Sequence, residues 1–437
     1  MPASRREVTV AIRTRTQDEE DLPHATKKTM ADHLRKYESW FTLTPQRMRM
    51  INKPNQIVPM IPTHVFGWPT GQEKGDFLAL DLGGTNLRVC LVTLQGEGKF
   101  EISQTKYCLT EEKKQDDGQK LFDFCAECLR TFVDTNTGED AGQLKPGQSL
   151  PLGFTFSYPC SQERIDHGEL IRWTKGFGAG NTEGRDVAEM FKKSLEKYQL
   201  PVKLTALIND TTRTLIASRY VNPKTKIAVI FGTGCNAAYM ENVKNITKIE
   251  HLGIDSGAEM VINCEWGAFD SFEHEHLPRT KYDTIKLISG RYLGEILRLV
   301  LCELIDECKL YCFDTAFLSL VESDERTNLL NVIGIFTRFF ALEMTLAERQ
   351  FFRALAKLIG RRAARLSACC IAAIVSKMGY LEEGCSVGAD GSLYRLLDSL
   401  VRRKADGMHS LIRSGWTDNL FIRHSCLHHA QWSDASG

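Results

Sequence analysis

The chain has 437 residues, 43% hydrophobic and 25% charged, and its 55 Lys and Arg side chains balance its 55 Asp and Glu side chains. This composition is typical of a soluble globular protein, and the length predicts two domains. Zero net charge argues against binding to nucleic acid or to a membrane surface, since either needs a basic face. No apolar run reaches the roughly 18 residues of a membrane-spanning helix.

The 14 cysteines indicate reduced thiols rather than a disulfide framework, because the chain is long and lacks a secretory signal. We therefore expect a cytoplasmic protein. Cys125 and Cys128 form a C-x-x-C pair inside an amphipathic helical pattern over residues 119–133, without a second pair at zinc-site spacing. We interpret both as core cysteines.

Residues 77–93 are the first stretch that carries chemistry. The apolar run from Phe77 predicts a strand buried on both faces, then a glycine turn and a second strand. Backbone N–H groups at such a turn can bind phosphate, and a carboxylate there can hold Mg²⁺ directly or through water. The residues that we expect to bind a nucleotide here are Asp81, Gly83, Gly84, Thr85, Asn86 and Arg88. An ordinary hairpin is the alternative, because Gly-Gly-Thr-Asn is also good turn chemistry.

A second stretch of the same kind follows at residues 227–239. It has a buried strand, a turn made by Gly232, Thr233 and Gly234, and a second strand that carries Asn236. Two similar phosphate-type hairpins predict two related halves that face one nucleotide.

Asn209 and Asp210 stand where a predicted strand over 202–208 ends and a helix begins. Ligands of α/β sheets bind at the carboxyl ends of strands, so Asp210 is placed to meet a substrate. The alternative is that Asp210 is a helix N-cap, for which Asp is favoured.

Taken together, these stretches resemble the hexokinase family. The motifs that carry the resemblance, in chain order, are LDLGGTN, LGFTFSYP, RWTKGF, LINDT, IFGTGCN, NCEWGAF and YLGE. The motif sequences are most similar to those of the fungal glucokinases, and the resemblance runs from about Trp40 to Tyr394. It implies an α/β protein with the two-lobed, actin-like (ribonuclease-H-like) sugar kinase fold and a cleft between the lobes.

The resemblance also assigns roles to individual residues. It makes Asp210 the general base on the sugar 6-hydroxyl, and it makes Asp81 the residue that holds the water shell of Mg²⁺ carried by ATP. The residues that it places around the sugar are Ser157, Thr174, Lys175, Asn209, Asp210, Asn236, Glu265 and Glu295. Each of these also has an ordinary structural interpretation, since most glutamates, for example, lie on protein surfaces.

Five segments follow from this interpretation. Residues 1–28 are a leader without fixed structure, and residues 29–75 are a helical segment and connector that pack on the large lobe. Residues 76–209 form the small lobe, and residues 210–394 form an incomplete large lobe. Residues 395–437 form an atypical tail that lacks the expected adenosine-contacting segment.

Three further positions depart from the family pattern. Asp283 runs directly into Thr284, where relatives carry a longer loop, and Cys370 replaces a usual glycine. Arg213 also replaces a glycine, and a cation in the first turn of a helix opposes the helix dipole and would crowd the cleft.

The function that we expect is phosphorylation of glucose, and of other hexoses where the pocket accepts them, at the 6-hydroxyl by Mg-ATP to feed glycolysis. The alternative is a catalytically impaired, hexokinase-like regulator that binds sugar. Retained Asp210 and both hairpins favour the first, whereas Arg213 and the tail favour the second. We expect a monomer or a homodimer.

Overall fold

The structure is a computed structural model that describes residues 58–84, 86–136, 149–232, 234–268, 280–283, 292–304, 313–380 and 383–391. The predicted leader, the predicted helical segment at the N-terminus and nearly all of the predicted tail lie outside these ranges. So do Thr85 and Thr233, on which two of the nucleotide-binding predictions fall.

The first sheet contains both strands of the first predicted hairpin. Its strands are β2 (Lys74–Leu82), β3 (Asn86–Gly96), β4 (Lys99–Cys108), β5 (Leu150–Phe156) and β8 (Val202–Ile208). They lie in the order β4-β3-β2-β5-β8, in which β2 pairs antiparallel with β3 and parallel with β5, and β5 pairs parallel with β8. The predicted strand, turn and strand are confirmed here.

Strand β2 is buried less completely than its apolar sequence predicts. Leu78, Leu80 and Leu82 are buried, but Phe77 is 37% exposed. The prediction of burial on both faces is therefore wrong for Phe77, at the exposed beginning of the strand, and it holds for the residues that lead to Asp81.

Helices cover this sheet and form its core. Helix α2 (Gly118–Asn136) buries one face, as its amphipathic pattern predicts, with the side chains of Leu121, Phe122, Cys125, Cys128 and Leu129. The two cysteines are therefore core residues. The helices on this part of the chain are α1 (Glu111–Gln115), α2 (Gly118–Asn136) and α3 (Val187–Lys197), and a small hairpin joins β6 (Cys160–Ser161) to β7 (Glu169–Leu170).

The second sheet repeats the pairing of the first. Its order is β1-β11-β10-β9-β12, with an antiparallel meander β9-β10-β11 and a parallel pairing between β9 and β12. The first sheet likewise has a meander β2-β3-β4 with β5 parallel to β2. The strands are β1 (Ile61–Phe66), β9 (Thr225–Phe231), β10 (Cys235–Asn242), β11 (Glu259–Asn263) and β12 (Ser386–Asp390).

A separate hydrophobic core lies beside this second sheet. The long helix α8 (Leu346–Lys377) contributes many side chains to this core. It begins with a capping box, in which the side chains of Thr345 and Glu348 each accept a hydrogen bond from the other residue's backbone N–H. The helices are α5 (Leu293–Leu304), α6 (Thr315–Ser323), α7 (Leu330–Phe340) and α8 (Leu346–Lys377). No helix among the described residues is both long and apolar enough to cross a membrane.

Helix α4 (Asp210–Val221) links the two sheets. It follows directly on β8 of the first sheet and packs against β9, β10 and β12 of the second. Its first turn therefore lies where the carboxyl end of a strand from one sheet meets the other sheet. The predicted domain boundaries stay predictions.

Candidate functional site

The first turn of helix α4 separates two roles that the sequence left open. Asn209 is the N-cap, and its side-chain oxygen accepts a hydrogen bond from the backbone N–H of Thr211 at 2.9 Å. Asp210 is the first helical residue, and one of its carboxylate oxygens accepts from the Thr211 hydroxyl at 3.2 Å. Because Asn209 does the capping, the alternative of Asp210 as N-cap is wrong, and its carboxylate is available to a ligand.

Lys175 joins Asp210 to the first hairpin. Its Nζ lies 3.9 Å from the Asp210 Oδ2, and a Cβ built on Gly84 would lie 3.4 Å from the Lys175 Cβ. Lys175 has a positive φ of 58°, a conformation that is uncommon for a residue with a side chain. The loop that contains RWTKGF thus holds a cation between the glycine turn and the carboxylate.

Asp81 ends strand β2 and contacts two arginines. Its Oδ2 accepts a hydrogen bond from Arg213 Nη1 at 2.8 Å, and the Nη1 of Arg88 lies 3.5 Å from the same oxygen. The Asp81 side chain is 11% exposed, whereas that of Arg88 is 41% exposed. Arg213 therefore makes the shorter contact with this nearly buried carboxylate.

Tyr158 forms a hydrogen bond with the glycine turn of the first hairpin. Its hydroxyl donates to the carbonyl oxygen of Gly83 at 3.3 Å, while the backbone N–H of Gly83 donates to Asn86 across the turn. Burial is the largest cause that raises the pKa of Tyr158 above its ordinary value, followed by the charges of Cys125, Asp81 and Asp210. The phenol thus stays protonated and acts as a donor.

A network of amides and one carboxylate lies on the second sheet beside Asn209. The side-chain Nδ2 of Asn236 lies 2.7 Å from the Oδ1 of Asn263, 3.0 Å from the Oε1 of Glu265 and 3.5 Å from the Oδ1 of Asn209. The backbone N–H of Glu265 donates back to Asn236 at 2.9 Å, and Asn263 donates to Glu265 at 2.9 Å. Such fixed amide and carboxylate groups suit a ligand with several hydroxyl groups.

The second hairpin lies next to the end of strand β12. The backbone N–H of Gly232 donates to the carbonyl of Gly234 at 2.9 Å, which closes the turn. Asp390 pairs with Ile230 in the parallel ladder, and a Cβ on Gly391 would overlap the backbone of Phe231. The close approach requires glycine and brings the backbone that follows Asp390 to the start of this turn.

The remaining predicted residues are placed less directly. Ser157 is buried just after strand β5, and Thr174 accepts through its backbone carbonyl from Phe177. Both carboxylate oxygens of Glu295 accept from Arg298 one turn along helix α5, at 2.6 Å and 2.7 Å. Their roles with a sugar stay predictions.

Four residues of this region were not predicted as site residues. Asn263 and Tyr158 stand inside the quoted motifs NCEWGAF and LGFTFSYP, so position within a motif could have found them. Asp390 ends strand β12 directly before a glycine, and Asp81 likewise stands near the end of a strand that leads into a glycine turn. Arg213 was noted as a departure but not as a contact of Asp81.

Comparison with known proteins agrees with this geometry. The family model described as hexokinase matches residues 16–220, and a second hexokinase model matches residues 226–285 and 286–429. The chain belongs to the hexokinase family. It is 41% identical to a hexokinase of Kluyveromyces lactis over 89% of this chain and 88% of that protein. It is also 41% identical to hexokinase-1 of Saccharomyces cerevisiae, over 89% of this chain and 87% of that protein.

A solved structure supports the fold. The hexokinase of Schistosoma mansoni complexed with glucose superimposes with a TM-score of 0.74 at 30% sequence identity, covering 97% of this chain and 96% of that one. The predicted two-lobed, actin-like sugar kinase fold and the predicted activity of an ATP-dependent hexokinase, a phosphotransferase, are confirmed. The closer likeness to fungal glucokinases within the family stays a prediction.

The matches also bear on two departures from the family pattern. The second hexokinase match is divided between residues 285 and 286, close to Asp283, where the sequence predicts a shortened loop. It continues to residue 429 and so includes most of the segment predicted as an atypical tail. The description of that segment as atypical stays a prediction.

Proposed function

We propose that Asp210 is the general base of this hexokinase and removes the proton from the glucose 6-hydroxyl. The observation that carries the proposal is that Asn209 caps helix α4, which leaves the Asp210 carboxylate beside Lys175 and the first hairpin. As the 6-oxygen forms its bond to the γ-phosphorus and the bond to the ADP oxygen breaks, the hydroxyl proton moves to Asp210.

Lys175 supplies charge at the point of transfer. Its ammonium group is a compact cation, 29% exposed, and lies 3.9 Å from the base. A lysine at this distance from the base can attract the transferring phosphoryl group through its positive charge. We propose that it does so during each turnover.

The sugar would bind against the amide network. Hydrogen bonds connect the side chain of Asn236 to those of Asn209 and Glu265, and the backbone N–H of Glu265 also donates to Asn236. Such pre-organisation lowers the entropy lost on binding. Ser157, Thr174 and Glu295 complete the proposed sugar site on the strength of the family motifs.

The nucleotide would lie against both hairpins, with the backbone N–H groups of Gly84 and Gly234 towards its phosphates. The N–H groups of Gly83 and Gly232 close their turns, so these two glycines would shape the phosphate-binding loops. The carboxylate of Asp81 is an oxygen ligand of the kind Mg²⁺ prefers, so the residues present fit an ion that ATP carries. When bound, Mg²⁺ would neutralise the negative charge of the β- and γ-phosphates. Thr85, Asn86, Arg88 and Thr233 stay predicted contacts.

We place the activity in the cytoplasm, where glucose 6-phosphate enters glycolysis. Cys125 and Cys128 are buried thiols of the core, which supports a reducing compartment. A monomer or a homodimer stays the expectation. Nothing in the comparisons supports the alternative of a catalytically impaired sugar-binding regulator.

The test is glucose-dependent ADP release by the purified chain with Mg-ATP, measured beside D210A. We expect D210A to lose about 10²- to 10⁴-fold in turnover, because that is the usual contribution of a positioned base. Calorimetric titration with glucose should show that D210A still binds the sugar.

The matched control is D134A, which removes an exposed carboxylate from helix α2. It should turn over like the wild type. Equal turnover in D210A and the wild type would remove Asp210 from the mechanism, and glucose binding without any turnover in the wild type would favour the regulator.

A further inference from the structure

Arg213 lies where three carboxylates from different elements converge. It is in the first turn of helix α4 and donates to Asp81 at the end of strand β2, with 2.8 Å between Nη1 and Oδ2. The charges of Asp210 and of Asp390, at the end of strand β12, also act on it. Burial lowers the pKa of Arg213, but these three carboxylates outweigh the burial and raise it. An arginine guanidinium stays protonated in proteins, so Arg213 is a permanent positive charge beside Asp81.

The position of Arg213 is unfavourable for a cation by local rules. The N-terminus of a helix carries a partial positive charge, so a positive side chain in the first turn is destabilising there. The compensation comes from outside the helix, through the ion pair with Asp81. We infer that breaking this pair leaves both groups poorly compensated, because the Asp81 side chain is only 11% exposed.

We propose that Arg213 competes with Mg²⁺ for the carboxylate of Asp81 and so raises the Mg²⁺ concentration at which the enzyme binds its nucleotide. The proposal rests on the proposed function of Asp81. A carboxylate oxygen that already accepts a charge-assisted hydrogen bond has less negative charge to offer the hydration shell of the ion. The guanidinium also repels a divalent cation directly.

Arg213 is the stronger of the two candidates for this role. Arg88 also faces Asp81, but its distance is 3.5 Å and its side chain is 41% exposed, against 2.8 Å and 34% for Arg213. Solvent screens the more exposed and more distant charge more strongly. Arg213 is therefore the group to change.

The experiment measures nucleotide binding rather than turnover. Calorimetric titrations with the non-hydrolysable analogue AMP-PNP, in the presence of glucose, are made over a series of free Mg²⁺ concentrations. The neutral variants are R213Q and R213G, and R213K keeps the charge. R130Q removes a positive charge from the exposed face of helix α2, where Arg130 pairs with Asp134, and controls for net charge.

We expect the half-saturating Mg²⁺ concentration to fall about tenfold in R213Q and R213G, which is the order expected for removing one positive charge near a divalent ion in a hydrated cleft. R213K and R130Q should stay close to the wild type. The shift should shrink at high ionic strength, since salt screens a partly exposed charge.

Two results would overturn the proposal. One is an unchanged Mg²⁺ dependence in both neutral variants. The other is weaker AMP-PNP binding in these variants at saturating Mg²⁺, which would make Arg213 a phosphate ligand instead. Failure of the proposed function is seen separately, as absence of glucose-dependent ADP release by a wild-type protein that still binds AMP-PNP.

Discussion

The buried pair of Asp283 and Arg362 gives the sharpest prediction about stability. Arg362, in the middle of helix α8, donates from both terminal nitrogens to the two carboxylate oxygens of Asp283, at 2.7 Å and 2.8 Å. The side chains are 0% exposed for Asp283 and 2% exposed for Arg362. Thr280 adds two hydrogen bonds to the same carboxylate, at 2.6 Å from its backbone N–H and 2.8 Å from its hydroxyl.

We expect R362M to lower the free energy of unfolding by about 3–5 kcal/mol, because it leaves the Asp283 charge buried without its partner. D283L should cost a similar amount, since it leaves the guanidinium buried. The double variant D283L/R362M should recover most of the loss, because two apolar side chains of similar size remove both charges together.

Urea titrations followed by circular dichroism measure these differences. R361M is the matched control, since Arg361 is the preceding, partly exposed residue of the same helix, and a change there should be below about 1 kcal/mol. A cost below about 1 kcal/mol for R362M, or a double variant as unstable as the sum of the single ones, would refute the reasoning.

Three further predictions concern single side chains. G391A should lower the thermal midpoint strongly, because φ is +114° and the new Cβ would overlap the carbonyl oxygen of Phe231. N236A should weaken glucose binding in calorimetry by at least about tenfold, since it removes the amide that holds Asn263 and the Glu265 carboxylate in place, and a hydrogen bond to a charged group contributes about 1.5–3 kcal/mol. Burial lowers the pKa of His64 below 6.5, so the folded state binds fewer protons than the unfolded state just below that pH. Stability should therefore fall as the pH drops through this window, and H64N should show a smaller fall in thermal denaturation from pH 7 to pH 5.

The elements that the sequence predicted well depend on local patterns. Both hairpins combine a run of β-branched and aliphatic residues with a glycine turn, and helix α2 repeats its apolar residues with helical spacing. The strand Ile61–Phe66 was interpreted as part of an extended connector. It becomes a strand because it pairs with β11, about 200 residues further along the chain, and no local pattern encodes a pairing at that distance.

The residues of the candidate site also differ in whether a local sequence pattern could predict them. Asp81, Asn209 and Asp210 could be predicted because each stands at the end of a strand, where ligands of α/β sheets bind. Asn263 is a different case, since its side chain enters the site through the pairing of β11 with β10, where it lies opposite Ala238. The motif NCEWGAF marks the residue, but its contact with Asn236 follows from the register of the two strands.

Arg213 shows how a local rule can be broken at a functional position. The helix dipole makes a cation there unfavourable by about 0.3–1 kcal/mol, and the sequence alone offers no compensation within the helix. The compensating carboxylate of Asp81 comes from a strand 132 residues earlier, in the other sheet. The pair therefore ties the first turn of the helix that carries the base to the strand that carries the proposed magnesium ligand. Any change in the charge at Asp81 on nucleotide binding should consequently alter its ion pair with Arg213 and so the first turn of helix α4, where Asp210 lies three residues before Arg213.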